Sequence, residues 1–249
     1  MNALILAAGL GTRLRPLTDS IPKALVKVAN QTLLEIQLRK LKAAGAKEII
    51  VNVHHLGGQI IDYIASHDWG IPVGISDERN SLLDTGGGLR KAWPLFRQPE
   101  FPVLVHNVDI LGNADIAVLY AGMEEKSSCA AHLLVSQRKT TRYLLFDDAM
   151  RLVGWMNEQT GEVRLPYKEL NPAACRRYAF SGIHVVSPLL RPILQAGPEN
   201  FSIIDFYLSV CQDYCISGFV QQDLSLLDVG KTAALSEAEQ FLCDAKEHP

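Results

Sequence analysis

Glycine and basic residues near the N-terminus have the chemistry that binds phosphate groups. An apolar run over residues 4–8 is followed by flexible, hydroxyl-bearing and cationic residues, namely Gly9, Gly11, Thr12, Arg13 and Lys23. Glycines let backbone amide groups approach an anion closely, and guanidinium and ammonium groups supply positive charge to phosphate oxygens. Residues 9–22 are therefore predicted to form a loop that binds a polyphosphate.

This segment differs from two common phosphate-binding loops. The dinucleotide fingerprint of a Rossmann domain requires a small residue three positions after its second glycine, where this chain has Leu14. A Walker loop requires Gly, four further residues and then Gly-Lys-Ser or Gly-Lys-Thr, and no such string occurs in the sequence. The alternative that remains open is a solvated basic loop beside a glycine turn.

Two aspartates lie at the ends of apolar runs. Asp109 follows residues 103–108, and Asp228 follows residues 224–227. Mg²⁺ prefers one or two carboxylates together with phosphate oxygens and water, so two converging aspartates predict a magnesium site. Either aspartate alone is equally well explained as the cap of a turn or helix.

The elements that position these residues alternate between strand and helix. Apolar and amphipathic periodicity predicts strands at 2–7, 48–53, 72–76 and 102–106, and helices at 32–44, 57–66 and 86–95. Such alternation predicts an α/β fold with a Rossmann-like, doubly wound and mostly parallel sheet flanked by helices. Ligands bind at the carboxyl ends of the strands in such sheets, where the predicted loop and Asp109 lie.

The second half of the chain has a different pattern. A hairpin at 143–146 and 152–155 predicts a small β insertion, followed by a polar, turn-rich stretch. Strands are then predicted at 179–186 and 225–229, and helices at 203–211 and 232–244. No repeat or low-complexity segment occurs, and the hexapeptide array of a left-handed helix is absent.

Short motifs are distributed along nearly all of the 249 residues. In chain order they are Gly9-Leu-Gly-Thr-Arg13, Pro16-Leu-Thr18, Pro22-Lys23, Leu83-Asp-Thr-Gly-Gly-Gly88, Asn107-Val-Asp109, Phe180-Ser-Gly-Ile183 and Asp228-Val-Gly230. Together they resemble the signature of the sugar-1-phosphate nucleotidyltransferases, which join a sugar phosphate to a nucleoside triphosphate and release pyrophosphate. Within that family they are most similar to bacterial N-acetylmuramate-1-phosphate uridylyltransferases and short mannose-1-phosphate guanylyltransferases.

The resemblance implies a nucleotide-diphospho-sugar transferase fold, with 1–249 as a single domain. Its nucleotide-binding half would be about 1–110 and its sugar-binding half about 111–249. The implied partners are a nucleoside triphosphate and a sugar 1-phosphate, with Mg²⁺ as cofactor at Asp109 and Asp228. Arg13 and Lys23 would be catalytic. Nucleotide and sugar would be bound by Ala8, Gly9, Gly11, Thr12, Asp84, Thr85, Gly86, Gly87, Asn107 and Gly182.

Two glycine motifs have both a functional and a structural interpretation. The run from Gly86 to Gly88 would let a flat ring pass close to the main chain, whereas the alternative is a plain loop with Thr85 as a helix cap. Gly182 lies inside a predicted strand, where a close approach of the sugar or a β-bulge would explain it equally well.

The sugar and the nucleotide are the least determined part of the prediction. Many relatives hold the sugar phosphate with a Glu-Lys pair, and residues 155–165 contain no such pair. Arg142, Arg164 and Lys168 are substitutes that the sequence does not rank. UTP with N-acetylmuramate 1-phosphate is the expected pair, for cell-wall sugar metabolism or recycling. The alternatives are GTP with mannose 1-phosphate, CMP transfer to phosphocholine, and a non-catalytic sugar-nucleotide sensor.

Composition excludes several classes of protein. Apolar residues make up 48 % of the chain and the net charge is −3, which fits a globular protein and argues against nucleic-acid binding. No apolar run approaches the ~18 residues of a membrane span, and no signal peptide is recognisable, so a cytoplasmic location is expected. The five cysteines are expected to be free thiols, with Cys211 and Cys215 one helical turn apart. His54 and His55 are expected in a loop, and His106 in the core.

Overall fold

A mixed β-sheet of ten strands is the largest element of the computed structural model, which describes residues 1–125, 128–167, 169–231 and 233–247. The strands are β1 Asn2–Leu6, β2 Lys27–Val28, β3 Gln31–Thr32, β4 Glu48–Val53, β5 Val73–Asp77, β6 Val103–Asn107, β7 Ile110–Gly112, β8 Cys129–Ser136, β9 Arg142–Phe146, β10 Leu152–Asn157, β11 Val163–Arg164, β12 Arg176–Val186, β13 Cys215–Val220 and β14 Leu226–Asp228. The helices are α1 Leu33–Ala43, α2 Gly57–Ala65, α3 Asp84–Ala92, α4 Ile116–Glu125, α5 Arg191–Ala196, α6 Ile203–Val210 and α7 Ala233–Glu247.

Strand order separates a parallel region from an antiparallel one. The main path runs β11-β10-β9-β12-β6-β1-β4-β5, with β8 paired to β12 and β13 paired to β8. Strands β6, β1, β4 and β5 are mutually parallel. The predicted α/β architecture is confirmed there. From β12 onward the path is antiparallel, and it includes the predicted hairpin as β9 and β10.

Alternating apolar side chains supply both faces of this sheet. On β1, Ala3 and Ile5 pack against the face that carries α1, α2 and α4, whereas Leu4 packs against the face that carries α3, α5 and α6. Successive strand residues point to opposite faces, so a continuous apolar strand is typical of a sheet covered on both sides. The two layers of helices therefore leave the strand ends as the accessible polar edge.

One prediction about the cysteines is confirmed and another is wrong. Among the described residues, Cys129, Cys175, Cys211 and Cys215 form no disulfide bond, as predicted. The interpretation that Cys211 and Cys215 lie one helical turn apart is wrong, because α6 ends at Val210 and Cys215 begins β13. The Cys215 Sγ lies 3.1 Å from the Cys129 Sγ on the neighbouring strand. In the described part of the chain, no helix has the length and apolar character needed to span a membrane.

Candidate active site

A cavity of about 490 Å³ opens at the carboxyl ends of β1, β4 and β6. The residues that follow β1 and β6 form two of its walls, and the start of α3 forms another. Its polar and backbone lining includes Ala7, Ala8, Gly9, Lys23, Asn52, Asp84, Thr85, Asn107, Asp109 and Asn200. The position matches the edge where parallel α/β sheets bind ligands.

The loop after β1 is folded by its own hydrogen bonds. Gly11 has φ +63°, and its carbonyl accepts hydrogen bonds from the Leu14 amide at 2.9 Å and the Thr18 hydroxyl at 2.8 Å. A Cβ at Gly11 would lie 2.9 Å from Thr18 Cγ2, so the backbone conformation and the close packing both require glycine. Gly9 and Lys23 line the cavity, whereas Gly11, Thr12 and Arg13 are not among its lining residues and lie in the loop between them.

Lys23 forms an ion pair with Asp109 at the floor of the cavity. The Lys23 Nζ contacts Asp109 Oδ2, and the two side chains are only 10 % and 17 % exposed. Pro22 and a 3₁₀ turn at Lys23–Leu25 direct the lysine inward, while Asp109 follows the end of β6. A buried ammonium group is stabilised by such a partner, so Asp109 holds Lys23 in the cavity.

A second ion pair joins the loop to the C-terminal part of the chain. Arg13 Nη2 lies 3.7 Å from Asp228 Oδ2, and both side chains are about half exposed, at 56 % and 48 %. A Cβ at Gly230 would lie 2.5 Å from Arg13 Nη2 and 2.6 Å from Asp228 Oδ1. A side chain at position 230 would therefore displace this ion pair from its present geometry.

Strand pairing brings the two aspartates together. On β14, Asp228 is the register partner of Ile110 on β7, and the Val229 amide donates to the Asp109 carbonyl at 2.9 Å. No group of three or more His, Cys, Asp or Glu side chains within the described ranges could hold a metal by itself. Mg²⁺ needs only one or two carboxylates when phosphate oxygens and water supply its other ligands, so Asp109 and Asp228 could hold it, and the magnesium site stays a prediction.

Comparison with known proteins identifies the family. Residues 2–148 match the family model described as nucleotidyl transferase. An N-acetylmuramate α-1-phosphate uridylyltransferase of Caulobacter vibrioides is 32 % identical over 257 residues, which cover 98 % of this chain and 97 % of that protein. The chain belongs to the nucleotidyl transferase family. The resemblance found in the motifs is confirmed, and the protein is a nucleotidyltransferase.

Two further comparisons concern part of the chain and the fold. A mannose-1-phosphate guanyltransferase of Neurospora crassa is 38 % identical over 112 residues, which cover 44 % of this chain and 30 % of that protein. A UDP-glucose pyrophosphorylase of Acinetobacter baumanii superimposes with a TM-score of 0.76 at 18 % identity, over 100 % of this chain and 94 % of that one. The nucleotidyltransferase therefore shares its fold with that enzyme.

A buried polar network behind the cavity was missed by the sequence analysis. Asn52 Oδ1 accepts hydrogen bonds from the amides of Ala7 at 2.6 Å and Ala8 at 3.2 Å, and its Nδ2 donates to Glu78 Oε1 at 2.8 Å. Glu78 is fully buried, and burial raises the pKa of its carboxyl group. The available signal was Asn52 itself, a polar residue inside the apolar strand 48–53.

The three glycines of α3 serve backbone packing. A Cβ at Gly86 would lie 2.3 Å from the Phe201 ring, one at Gly87 would lie 2.1 Å from the Glu199 carbonyl, and one at Gly88 would lie 2.9 Å from Asn52 Nδ2. Protein atoms therefore fill the space that a side chain at Gly86 or Gly87 would need, so packing alone already requires these glycines. That Gly86 and Gly87 also bind the nucleotide stays a prediction.

Thr85 and Asp84 do line the cavity, in roles that the sequence did not predict. The Thr85 hydroxyl accepts a hydrogen bond from the Ile203 amide at 2.9 Å, so it binds the first amide of α6, whose N-cap is Ser202. Asp84 has φ +58°, an uncommon conformation for a residue with a side chain, and its carboxylate accepts from the Thr85 amide at 2.6 Å. The first turn of α3 is thus held by the segment that precedes α6.

Gly182 supports the cavity from outside its wall. It has φ +79° at an irregularity in the pairing of β12 with β8, and a Cβ there would lie 2.4 Å from Asn107 Nδ2. The β-bulge interpretation therefore describes the backbone, and the close neighbour is Asn107, which does line the cavity.

The histidines are placed as predicted and add contacts to the site. Within the loop after β4, His54 Nδ1 lies 2.7 Å from the Glu78 carbonyl and His55 Nε2 lies 3.1 Å from the Thr18 carbonyl. His106 is fully buried beside Asn107, and burial lowers its pKa to about 3. A buried, neutral His106 agrees with the prediction that this residue lies in the core.

Two of the three candidate anchors for the sugar phosphate meet in a second cavity of about 340 Å³. Arg142 and Arg164 line it together with Arg138, whereas Lys168 lies outside the described residues. Phe180 and Ser202 also belong to its wall. The β insertion and β12 therefore place a basic cavity next to the strand that supports Asn107.

Proposed function

We propose that the nucleotidyltransferase transfers a uridylyl group from UTP to N-acetylmuramate 1-phosphate and releases pyrophosphate. The observation that carries the proposal is the cavity at the strand ends, which is lined by the Lys23–Asp109 ion pair. The Arg13–Asp228 ion pair lies in the neighbouring segments, where Val229 pairs with Asp109. Cations for phosphates and carboxylates for a divalent ion are the groups that phosphoryl-type transfer requires.

The reaction is an in-line displacement at the α-phosphorus of the nucleotide. A phosphate oxygen of the sugar phosphate forms the new bond to phosphorus, and the bond to the bridging oxygen of pyrophosphate breaks. Lys23 would hold the α-phosphate and the sugar phosphate together, because its Nζ lies at the cavity floor. Arg13 would stabilise the negative charge that develops on the leaving pyrophosphate.

Asp109 and Asp228 would hold Mg²⁺, which when bound would neutralise charge on the phosphate oxygens. The remaining contribution of the chain is positioning. The Asn52 network fixes the backbone at Ala7 and Ala8, so the cavity wall against which the base and ribose would lie is rigid before the nucleotide binds.

The choice of UTP and an acidic amino sugar is supported by the extent of similarity. The uridylyltransferase relative matches over 98 % of the chain, whereas the guanyltransferase relative matches over 44 %. A non-catalytic sensor is disfavoured because the charged residues of the site, Arg13, Lys23, Asp109 and Asp228, are all present.

Pyrophosphate release tests this proposal directly. UTP, GTP and CTP would each be combined with N-acetylmuramate 1-phosphate, mannose 1-phosphate and phosphocholine, with and without Mg²⁺. The highest kcat/KM is expected for UTP with N-acetylmuramate 1-phosphate in the presence of Mg²⁺. Preference for GTP with mannose 1-phosphate, or for CTP with phosphocholine, would replace the substrates but keep the reaction. No release from any pair would favour a sensor.

A further inference from the structure

We propose that the second cavity binds a carboxylate on the sugar of the sugar 1-phosphate, through Arg138 and Arg142. The inference rests on the proposed function and specifies the substrate class as acidic sugar phosphates. It starts from the charge of the cavity, which contains three arginines, Arg138, Arg142 and Arg164, and one carboxylate, Asp205.

Arg164 is already neutralised and forms part of the wall. Its Nη1 pairs with Asp205 Oδ1 at 2.5 Å, and its Nε lies 3.2 Å from Glu162 Oε1. The guanidinium group also stacks on Trp155, 4.0 Å from the ring centroid. These contacts fix Arg164 in place, so the Trp155 ring and this guanidinium form a rigid surface on one side of the cavity.

Arg138 and Arg142 keep their charge available. Among the described residues, no carboxylate lies within ion-pair distance of either guanidinium group. Arg138 Nη2 donates to the Phe180 carbonyl at 3.1 Å, which orients that side chain at the cavity wall. Two like charges side by side repel each other, and an anion between them would relieve that repulsion.

The second cavity adjoins the nucleotide cavity along two shared segments. On β12, Phe180 lines the second cavity and Gly182 contacts Asn107, which lines the first. Before α6, Asn200 lines the first cavity and Ser202 lines the second. The two cavities are therefore neighbours, and a sugar whose phosphate is held at Lys23 would have its far substituents on the side of the second cavity.

A carboxylate fits this cavity better than a neutral substituent does. The planar guanidinium fork matches the two oxygens of a carboxylate, and contacts of this kind are stronger than those between neutral groups. N-acetylmuramate carries a carboxylate that N-acetylglucosamine lacks, on an otherwise equivalent ring. The cavity would therefore select the acidic sugar, while Lys23 and Arg13 act on the phosphates that both sugars share.

The test compares two sugar phosphates in wild-type protein and in variants. With UTP, kcat/KM would be measured for N-acetylmuramate 1-phosphate and N-acetylglucosamine 1-phosphate in wild type, Arg142→Gln and Arg138→Gln. The wild type should prefer the acidic sugar, and each glutamine variant should reduce the ratio of the two kcat/KM values by about tenfold to a hundredfold. Arg142→Lys should give an intermediate ratio, because a point charge replaces the fork.

Arg176→Gln is the matched control, since Arg176 lies on the same half of the chain and pairs with Asp148 away from the cavity. It should keep both the wild-type ratio and the wild-type activity. Equal use of the two sugars by the wild type, or unchanged ratios in both glutamine variants, would overturn the carboxylate site and leave the proposed uridylyl transfer standing. No pyrophosphate from either sugar with UTP would overturn both.

Discussion

Replacing His184 by leucine should remove part of the protein's sensitivity to acid. His184 lies on β12 and is 1 % exposed, with its ring centroid 5.4 Å from that of Phe180 and 5.7 Å from that of Tyr207. Neither ring nitrogen has a hydrogen-bond partner among the described groups. Burial, and to a lesser extent the nearby His106, lowers the pKa of His184 to about 3.

The size of the effect follows from proton linkage. In the unfolded chain the imidazole has a pKa of about 6.5, so it binds a proton at a pH where the folded protein keeps His184 neutral. Between those two pKa values the unfolded state binds more protons, and the free energy of unfolding therefore falls as the pH falls. At about pH 5 the loss from this residue is about 2 kcal/mol, since each pH unit below 6.5 contributes about 1.36 kcal/mol.

Urea unfolding at about pH 8 and about pH 5 measures this contribution. Between the two pH values, wild type should lose about 2 kcal/mol more than His184→Leu. Comparing each protein with itself cancels any difference in how well leucine packs, and the carboxylates titrate in both proteins. His67→Leu, at an exposed position after α2, should behave like wild type. Equal losses in wild type and His184→Leu would refute the reasoning.

Three further predictions concern the site. Lys23→Ala should lower kcat/KM for pyrophosphate release by roughly 10³-fold, measured below the melting temperature, and near wild-type activity would contradict its phosphate role. Asp228→Asn should raise the Mg²⁺ concentration for half-maximal activity, measured by Mg²⁺ titration, with little change in the free energy of unfolding. Asp109→Asn should raise that concentration too, and urea unfolding should show that it also lowers the free energy of unfolding by about 3 kcal/mol or more. Glu78→Gln should lower stability by about 1–3 kcal/mol and raise KM for UTP, and an unchanged KM would show that the network does not position the base wall.

Local features of the site were predictable from sequence because they depend on residue type and order. The loop after β1, the strand ends at Asp109 and Asp228 and the alternation of the first half all follow from short apolar runs and nearby polar residues. The partners of those residues were not predictable. That Lys23 pairs with Asp109 across 86 positions, and Arg13 with Asp228, is decided by how the sheet orders its strands.

Glycines show the limit most clearly. A glycine in a sequence indicates that a side chain is missing, and it does not indicate what occupies the space. The space beside Gly86 and Gly87 is occupied by Phe201 and Glu199, whereas the space beside Gly230 is occupied by the Arg13 guanidinium. Only the packing of distant segments distinguishes these cases, because each glycine contact joins parts of the chain far apart in sequence.

The different behaviour expected for the two aspartates follows from what each one does before substrates bind. Lys23 is buried, and an ammonium group there without a partner would be costly, so Asp109 is needed to keep the folded protein stable. Arg13 is 56 % exposed and remains solvated without Asp228, so that ion pair adds little stability. In the proposed reaction, phosphate oxygens at Lys23 would replace Asp109 as its partner, which would leave the carboxylate available to a divalent ion. The same exchange at Arg13 and Asp228 would be energetically cheaper, because water already competes for both groups.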